Sequence, residues 1–346
     1  MSGRAANTAV ARLAIIGCGA VAEFCHLPGA KLVPEVEIAA LVDKNIDRAE
    51  MLAEKHGVEK CIDDYHNLPD DIDGVIIGLP HFLHAPVTIE FLKNGLPVLV
   101  EKPMARNTAE AEAMIKAAEE TGVALQIGLM YRFANGARQV KRALEEGWLG
   151  PVRSFTVEWG FIYDWPVASG FFFSKEQAGG GVLIDLGSHV LDLLLWWLGD
   201  AIDVEYKDDS RGGVEADCWL SLALQSPTGP VEGTVTLSRL RNLTPVARIV
   251  GDHFTIECDL YYPDIVRLWS STSDGHEQAF IVDFERVPRQ PMNEIYAAQL
   301  RAFAHTIKSG GPSAVPGEQV LGSVALIDRC YQTRQPLEYA WAKAAA

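Results

Sequence analysis

The amino-acid sequence predicts an α/β protein with a doubly wound parallel sheet in its first part and an antiparallel sheet in its second part. Between residues 12 and 127, short apolar runs alternate with helical segments six times, joined by short loops. This alternation is typical of a doubly wound parallel sheet. Beyond residue 200, β-rich runs are separated by turns such as Pro227-Thr228-Gly229-Pro230. The runs include Asp217–Leu224, Val231–Leu237, Ala247–Val250, Phe254–Cys258, Ile265–Trp269 and Ala279–Phe284. That spacing favours antiparallel pairing.

The composition argues against two classes of partner. The 346 residues are enough for two domains of roughly 100–200 residues each. Lys and Arg number 30 against 46 Asp and Glu, the net charge is −16, and no basic cluster is present. Binding to nucleic acid or to an anionic membrane surface is therefore not expected.

The cysteines and the apolar runs predict a cytoplasmic protein without a membrane span. The six cysteines form no CxxC pair and no zinc-like spacing with histidines, which favours reduced thiols. The segment Met1–Ala9 is short and polar and carries no export signal. The longest apolar run, Val190–Leu198, is interrupted by Asp192 and is far shorter than a span.

The first strand and the turn after it match a dinucleotide-binding signature. The apolar run Arg12–Ile16 leads into Gly17-Cys18-Gly19-Ala20-Val21-Ala22, which fits GxGxxG/A, and a helix is predicted from Val21 to about Leu32. Glycines there permit a tight turn and let backbone N–H groups approach a pyrophosphate. The predicted cofactor-binding residues of this turn are Gly17, Gly19, Ala20 and Val21.

A carboxylate follows the second predicted strand, Val36–Val42. Asp43 lies 21 positions after Ala22, close to the spacing of about 20 at which an acid binds the adenosine ribose. The alternative is an ordinary strand-end aspartate that begins a turn. A carboxylate there repels a 2′-phosphate and favours NAD, whereas the nearby Lys44, also predicted to bind cofactor, and Arg48 leave NADP open.

The remaining elements of the first part place several residues on one rim of the sheet. The predicted elements are helix Ile46–His56, strand Lys60–Ile62, strand Gly74–Gly78, helix Ala85–Asn94, strand Pro97–Val100, helix Thr108–Thr121 and strand Ala124–Ile127. Ligands of such sheets sit at the carboxyl ends of the strands. Gly17, Asp43, Pro80 and the segment after Val100 therefore share one rim.

The segment after Val100 is Glu101-Lys102-Pro103. A lysine at the carboxyl end of a central strand, followed by a proline, is well placed to meet a substrate. Its ammonium can donate to a substrate oxygen and stabilise negative charge that develops there. The alternative is a solvated surface lysine.

A second set of ionisable side chains follows the glycine run Gly179-Gly180-Gly181. A helix predicted to begin near Val182 places Asp185 and His189 four residues apart, on one face. In an apolar setting the carboxylate fixes the tautomer of the imidazole, which then accepts a proton near neutral pH. The alternatives are a buried histidine satisfied by a neighbouring acid, and a metal site that adds Asp192 to the pair.

Together these motifs resemble the glucose–fructose oxidoreductase, inositol dehydrogenase and rhizopine-catabolism (Gfo/Idh/MocA) family. The resemblance runs from about Leu13 to about Pro336. Besides the three motifs above, it rests on Met130-Tyr131-Arg132-Phe133, on Gly147-Trp148-Leu149-Gly150 and on the closing region Ser309–Pro336.

The resemblance implies a fold and two domains. It implies a Rossmann domain over residues 1–130 and a substrate-binding and oligomerisation domain over residues 131–346. The second domain would hold a large open, mainly antiparallel sheet, and the C-terminal helix would pack back on the first domain. Family members commonly dimerise through this sheet, so a homodimer or homotetramer is expected.

The resemblance also implies a reaction, in which Lys102, Asp185 and His189 meet beside the nicotinamide. His189 is the general base, Asp185 supports it, and Lys102 contacts the reacting oxygen of a sugar or cyclitol. Further cofactor contacts are expected from Leu79, Pro80, His84, Glu101 and Lys102. Substrate contacts are expected from Tyr131, Arg132, Tyr163, Trp165, Asp185 and His189. His81 departs from the small polar residue that many relatives carry there.

The resulting hypothesis is an NAD-dependent dehydrogenase, with NADP open, that acts on a ring hydroxyl or ketone of a sugar, sugar derivative or cyclitol. No metal is expected. The aromatic segment between residues 162 and 178 either stacks on the sugar or packs against a neighbouring subunit. Two alternatives are an NAD-dependent glycosidase on the same fold and a non-catalytic dinucleotide-sensing regulator.

Overall fold

The structure is a computed structural model that describes residues 10–163, 170–263, 265–271 and 290–338. Two predictions lie outside these residues. They are the substrate contact of Trp165 and the β-rich run Ala279–Phe284. All other predicted site residues are described.

The first sheet is parallel and buried on both faces. Its strands are β1 (Ala11–Ile16), β2 (Val36–Val42), β3 (Lys60–Ile62), β4 (Gly74–Ile77), β5 (Val98–Glu101) and β6 (Leu125–Gly128). They lie in the order β3-β2-β1-β4-β5-β6. Their apolar runs are nearly continuous because helices cover both faces. The change of direction between β1 and β4 creates a crevice at the carboxyl ends of the strands.

The helices of the first sheet begin and end at residues that suit helix termini. They are α1 (Leu27–Ala30), α2 (Ile46–His56), α3 (His84–Lys93) and α4 (Thr108–Thr121). The side chain of Asn45 accepts from the backbone N–H of Arg48 at the start of α2, and Gly57 ends α2 in the left-handed region.

The helix after the glycine turn differs from its prediction. It was expected to run to about Leu32, but it consists of a π-helical stretch, Ala22–His26, and then α1. The backbone N–H of Leu27 donates to the carbonyl of Ala22, five residues back. Pro28 has no N–H to continue the regular ladder, which accounts for the irregular bonding in this short helix.

The second sheet is mixed and mostly antiparallel. Its strands are β7 (Val152–Gly160), β8 (Ala201–Asp208), β9 (Asp217–Ser226), β10 (Gly229–Ser238), β11 (Leu243–Gly251), β12 (Phe254–Asp259), β13 (Val266–Ser270) and β14 (Gln335–Pro336). Their order is β13-β12-β11-β7-β10-β9-β8-β14. β10 pairs with β7, and β14 with β8, in parallel; the other pairs are antiparallel. The predicted fold class is confirmed, although β8 and β14 were not predicted.

Helices pack against one face of the second sheet, and among the described residues no helix lies over the other. The remaining described helices of the chain are α5 (Asn135–Glu145), α6 (Lys175–Ala178), α7 (Val182–Leu198), α8 (Met292–Ser309) and α9 (Gly317–Gln332). α7 packs against β9 and β10, whereas α8 contacts α1 and α9 contacts α4. The two final helices thus lie against the elements of the first sheet. The domain boundary at residue 130 stays a prediction.

The segment Lys175–Leu198 is long and apolar enough to cross a membrane by length and composition. Of its most apolar window, 83% is buried inside the protein. Its apolar composition is therefore accounted for by its place in the core between the second sheet and α9.

Candidate active site

The glycine turn after β1 is closely packed at Gly17 and open at Gly19. Gly17 has φ of 101°, and a Cβ on it would lie 2.6 Å from the carbonyl oxygen of Gly78, so only glycine fits. A Cβ on Gly19, in contrast, would meet no atom within 4 Å. The backbone of this turn is therefore open to a group as large as a pyrophosphate.

Asp43 lies at the end of β2 beside this turn. Its carboxylate accepts from the backbone N–H of Cys18 and from that of Asn45, both at 2.8 Å. An ionised carboxylate has about four acceptor positions, so two remain for ribose hydroxyls. Together with the open glycine turn, this arrangement fits the pyrophosphate and ribose of a dinucleotide.

The two cations near Asp43 differ in their surroundings: Arg48 is paired with an acid, and Lys44 is exposed. The guanidinium of Arg48 donates to the carbonyl of Cys18 at 2.9 Å and forms an ion pair with Glu23 at 2.5 Å. Lys44 is exposed at the surface. Because Glu23 offsets the charge of Arg48, Arg48 is a weak partner for a 2′-phosphate.

The end of β5 is anchored by a buried pair. Glu101 accepts from, or donates to, Nε2 of His26 at 2.8 Å, and its other oxygen accepts from the backbone N–H of Lys102 at 3.2 Å. Both side chains are almost fully buried. The Lys102–Pro103 peptide bond is cis. The carboxylate of Glu101 thus bonds within the protein, and its cofactor contact stays a prediction.

Asp185 lies between two cations that come from different parts of the chain. Nζ of Lys102 donates to Oδ1 of Asp185 at 2.6 Å, and Nη2 of Arg239 donates to Oδ2 at 2.6 Å. Burial alone raises the pKa of Asp185, but the attraction of both cations outweighs burial and holds that pKa well below its usual value. Asp185 is therefore an ionised carboxylate that fixes both cations.

His189 lies one turn further along α7 and is buried. Its ring makes edge contacts with Tyr131 at 4.8 Å between centroids and lies 6.1 Å from Trp159. Burial, and then the charge of Lys102, hold the pKa of His189 well below 6.5, although Asp185 opposes them. The imidazole is therefore neutral and able to accept a proton.

The predicted contact between Asp185 and His189 is replaced by a different arrangement. Both oxygens of Asp185 are bound to Lys102 and Arg239, and Nδ1 of His189 has no hydrogen-bond partner among the described residues. Asp185 acts on the imidazole only through its charge. The prediction that it fixes the tautomer is wrong, because two cations compete successfully for the carboxylate.

Arg132 and Tyr131, both predicted to contact substrate, form hydrogen bonds inside the protein. Arg132 forms a buried two-bond ion pair with Asp192, at 2.8 and 2.6 Å, and also donates to Gln319 at 2.9 Å. The hydroxyl of Tyr131 donates to the carbonyl of Leu260 at 2.8 Å. Their polar groups are bonded inside the protein, and the two substrate contacts stay predictions.

Asp192 is likewise not available to a metal. Its two oxygens hold Arg132. In the described part of the chain, no group of three or more His, Cys, Asp or Glu side chains is placed to hold a metal ion. The metal alternative for Asp185, His189 and Asp192 therefore has no support in the geometry.

Two histidines after β4 form hydrogen bonds with backbone carbonyls of neighbouring segments. His84 is buried, with Nδ1 at 2.8 Å from the carbonyl of Pro103 and Nε2 at 2.8 Å from that of Leu79. Nδ1 of His81 lies 2.8 Å from the carbonyl of Ala178, and burial lowers the pKa of His81 to about 3. Both rings therefore hold neighbouring backbone segments together inside the protein. Pro80 precedes His81 on the crevice rim, where its cofactor contact stays a prediction, as do those of Leu79 and His84.

Sequence reasoning missed Arg239. Arg239 follows β10 directly and reaches Asp185, and its guanidinium carbon lies 4.8 Å from the ring centroid of Tyr163. Tyr163 was predicted as a site residue and is brought to the cluster. No motif marks Arg239, and only the position of β10 in the sheet brings it to the site.

Two family models match the chain. Residues 11–129 match the model described as "Oxidoreductase family, NAD-binding Rossmann fold", and residues 137–257 match the "GFO/IDH/MocA C-terminal domain".

Two curated relatives match over most of their length. The chain is 27% identical over 333 residues to dTDP-3,4-didehydro-2,6-dideoxy-alpha-D-glucose 3-reductase of Actinomadura kijaniata, covering 93% of this chain and 95% of the relative. It is 24% identical over 325 residues to myo-inositol 2-dehydrogenase of Thermotoga maritima, covering 91% and 93%. Among solved structures, levoglucosan dehydrogenase in complex with NADH and levoglucosan is similar in fold, with a TM-score of 0.81 at 20% identity, covering 93% of this chain and 96% of that one.

Proposed function

Because the chain belongs to the Gfo/Idh/MocA oxidoreductase family, we propose that it oxidises a ring hydroxyl of a sugar, sugar derivative or cyclitol, or reduces the matching ketone. The chain is an NAD(P)-dependent dehydrogenase acting on CH–OH groups. The observation that carries the proposal is the meeting of Lys102 and Asp185 at 2.6 Å, with His189 one helical turn away.

The proposed roles follow from the charges in the cluster. Nicotinamide, when bound, supplies the hydride acceptor. His189 is neutral and takes the proton of the reacting hydroxyl. Lys102 bonds twice to Asp185 and keeps a third N–H donor that stabilises negative charge on the reacting oxygen.

We propose NAD as the preferred cofactor. The support is Asp43 at the end of β2, whose carboxylate repels a 2′-phosphate, together with the ion pair that occupies Arg48. The exposed Lys44 is the residue through which NADP would bind if it is accepted.

The two alternatives for the activity are not favoured. The relatives named above are a reductase and a dehydrogenase. A glycosidase would release an aglycone without net reduction of the cofactor, and a regulator would show no turnover at all.

We also propose a homodimer or homotetramer and a cytoplasmic location. The outer face of the second sheet has no helix over it in the described residues, and it presents half-exposed side chains such as Trp219, Ala223 and Thr234. The location is supported by six free cysteines, five of them buried.

The proposal is tested by screening sugars, cyclitols and nucleotide sugars with NAD and with NADP, while recording nicotinamide absorbance. Reduction of NAD by at least one secondary alcohol supports the dehydrogenase. Release of an aglycone without net reduction would replace it with the glycosidase, and binding of NAD without turnover of any class would support the regulator.

A further inference from the structure

Arg239 brings a guanidinium into the site, and most of its donors have no acceptor among the described residues. Its side chain is 9% exposed. A guanidinium has five N–H donors, but within the described residues the bond from Nη2 to Asp185 is the one that Arg239 makes with its side chain. Nε is buried and has no acceptor there. A buried donor without an acceptor is costly, so a ligand that accepts from Arg239 would be stabilised.

Asp185 is shared by two cations. Both Lys102 and Arg239 form an ion pair with this one carboxylate. His189 adds no charge, because burial holds its pKa well below 6.5. Among the described residues, no ion pair joins either cation to Glu101, whose carboxylate is bonded to His26. A ligand carboxylate at Arg239 would give each cation a carboxylate of its own, and partly buried charges are favourable only when they are paired.

The guanidinium is also held in one orientation. Tyr163 lies against it, with 4.8 Å from the guanidinium carbon to the ring centroid, and Asp185 fixes one edge. A planar guanidinium held in this way suits an oxyanion that accepts two parallel hydrogen bonds. A carboxylate offers two coplanar oxygens and one charge, and would pair with the guanidinium while Asp185 stays with Lys102.

Resting on the proposed function, we propose that the substrate is a sugar acid or carboxylated cyclitol whose carboxylate is bound by Arg239. In this complex the reacting hydroxyl of the substrate contacts Lys102 and His189. The carboxylate of the substrate contacts Arg239 beside Asp185. Arg239 is then the residue that determines specificity for acids over neutral sugars.

The test compares matched pairs of ligands on the NADH-loaded full chain. In the gluco, galacto and manno series, titration calorimetry measures the affinity of the uronate, the neutral uronamide and the hexose 6-phosphate. Oxidation of the uronate and of the parent hexose is followed with NAD. At least one uronate is expected to bind 10-fold or more tightly than its uronamide. The uronamide retains the shape and lacks the charge.

Variants then assign this preference to Arg239. In Arg239→Gln the uronate and the uronamide should bind equally, whereas Arg239→Lys should keep part of the preference. Arg153→Gln is the matched control, because Arg153 forms an exposed ion pair with Asp252 at the beginning of β7. It should keep the full preference. Unchanged NADH affinity and a cooperative thermal transition show that each variant is folded.

The outcomes separate the two proposals. Equal binding of uronate and uronamide, absence of binding by either, a preference for the 6-phosphate, or a preference that survives in Arg239→Gln would each overturn the carboxylate proposal. Oxidation of neutral sugars would still support the dehydrogenase. Preferential binding of a uronate without its oxidation would support the role of Arg239 and count against the dehydrogenase.

Discussion

At the residue scale, the site depends on Asp185. Its carboxylate is the common partner of Lys102 and Arg239, which arrive from the first and the second sheet. Removing one partner of a buried ion group leaves the others uncompensated. Here the loss of one acid would leave two cations facing each other.

The first prediction concerns Asp185→Asn. Activity should fall by at least about 100-fold, because Lys102 and Arg239 lose their fixed positions, and the thermal midpoint should also fall. Steady-state kinetics and calorimetry measure both. Asp252→Asn removes an exposed ion pair with Arg153 and should change neither. An Asp185→Asn variant with full activity would remove this carboxylate from the mechanism.

The second prediction concerns pH. His189 has a pKa well below 6.5, so it is already deprotonated at neutral pH. We therefore expect kcat/KM for oxidation to stay constant from about pH 8 down to about pH 6. In Lys102→Met the cation that lowers this pKa is gone, so the acid limb of the residual activity should move to higher pH.

The pH–rate profiles of the unmodified enzyme and of Lys102→Met test these two expectations. An acid limb near pH 6.5 in the unmodified enzyme would contradict the assignment of a buried, neutral imidazole. So would a limb that moves to lower pH in Lys102→Met.

At the element scale, the N-terminus of α7 is capped by a residue from outside the helix. Oε1 of Glu215 accepts from the backbone N–H groups of Gly181 and Leu183, both at 2.9 Å, and from the hydroxyl of Tyr331 at 2.8 Å. A Cβ on Gly181 would lie 1.8 Å from the carbonyl oxygen of Glu215. This close approach explains the glycine immediately before α7.

The third prediction concerns Glu215→Ala. It should lower the free energy of unfolding by about 1–3 kcal/mol, because buried donors lose their acceptor. Chemical denaturation measures the change. Glu215→Gln keeps an acceptor oxygen at this position and should lose less. If both variants lose equally, or neither loses, Glu215 does not cap α7.

The sequence predicted the elements whose signals are local. α2 and α4 have their predicted bounds, since Asn45 and Asn107 cap their first turns and glycines follow their last. The predictions failed where partners are distant in the chain. β14 is a two-residue edge strand, exposed throughout, that pairs with the distant β8, and β8 has three buried residues out of eight. Arg239 meets Asp185 across 54 positions. The crowding of two cations around one acid, which separates Asp185 from His189, is also a property of the folded chain.

At the scale of the whole molecule, the two sheets differ in how their faces are covered. The first sheet is covered on both faces by helices, whereas the outer face of the second carries alternate half-exposed residues of β9 and β10. Ser221 and Thr234 are register partners at its centre. A second copy of the chain would cover this face.

The fourth prediction is therefore a dimer or tetramer in light scattering after size exclusion. Ala223→Glu should shift it toward the monomer, because a charge would be buried at the contact. Glu158 lies on the outer, exposed side of β7, and Glu158→Gln serves as a milder control on the same face. A monomeric unmodified chain, or an Ala223→Glu variant with unchanged mass, would contradict the proposed interface.

The central claim is that a neutral imidazole at the junction of the two sheets accepts the proton that leaves with the hydride. The most direct measurement is the turnover of His189→Asn together with its dissociation constant for NAD. The account predicts that kcat falls by about 10²–10⁴-fold while NAD binds as before, since the glycine turn and Asp43 are untouched. An unchanged kcat in a variant that still binds NAD would contradict it.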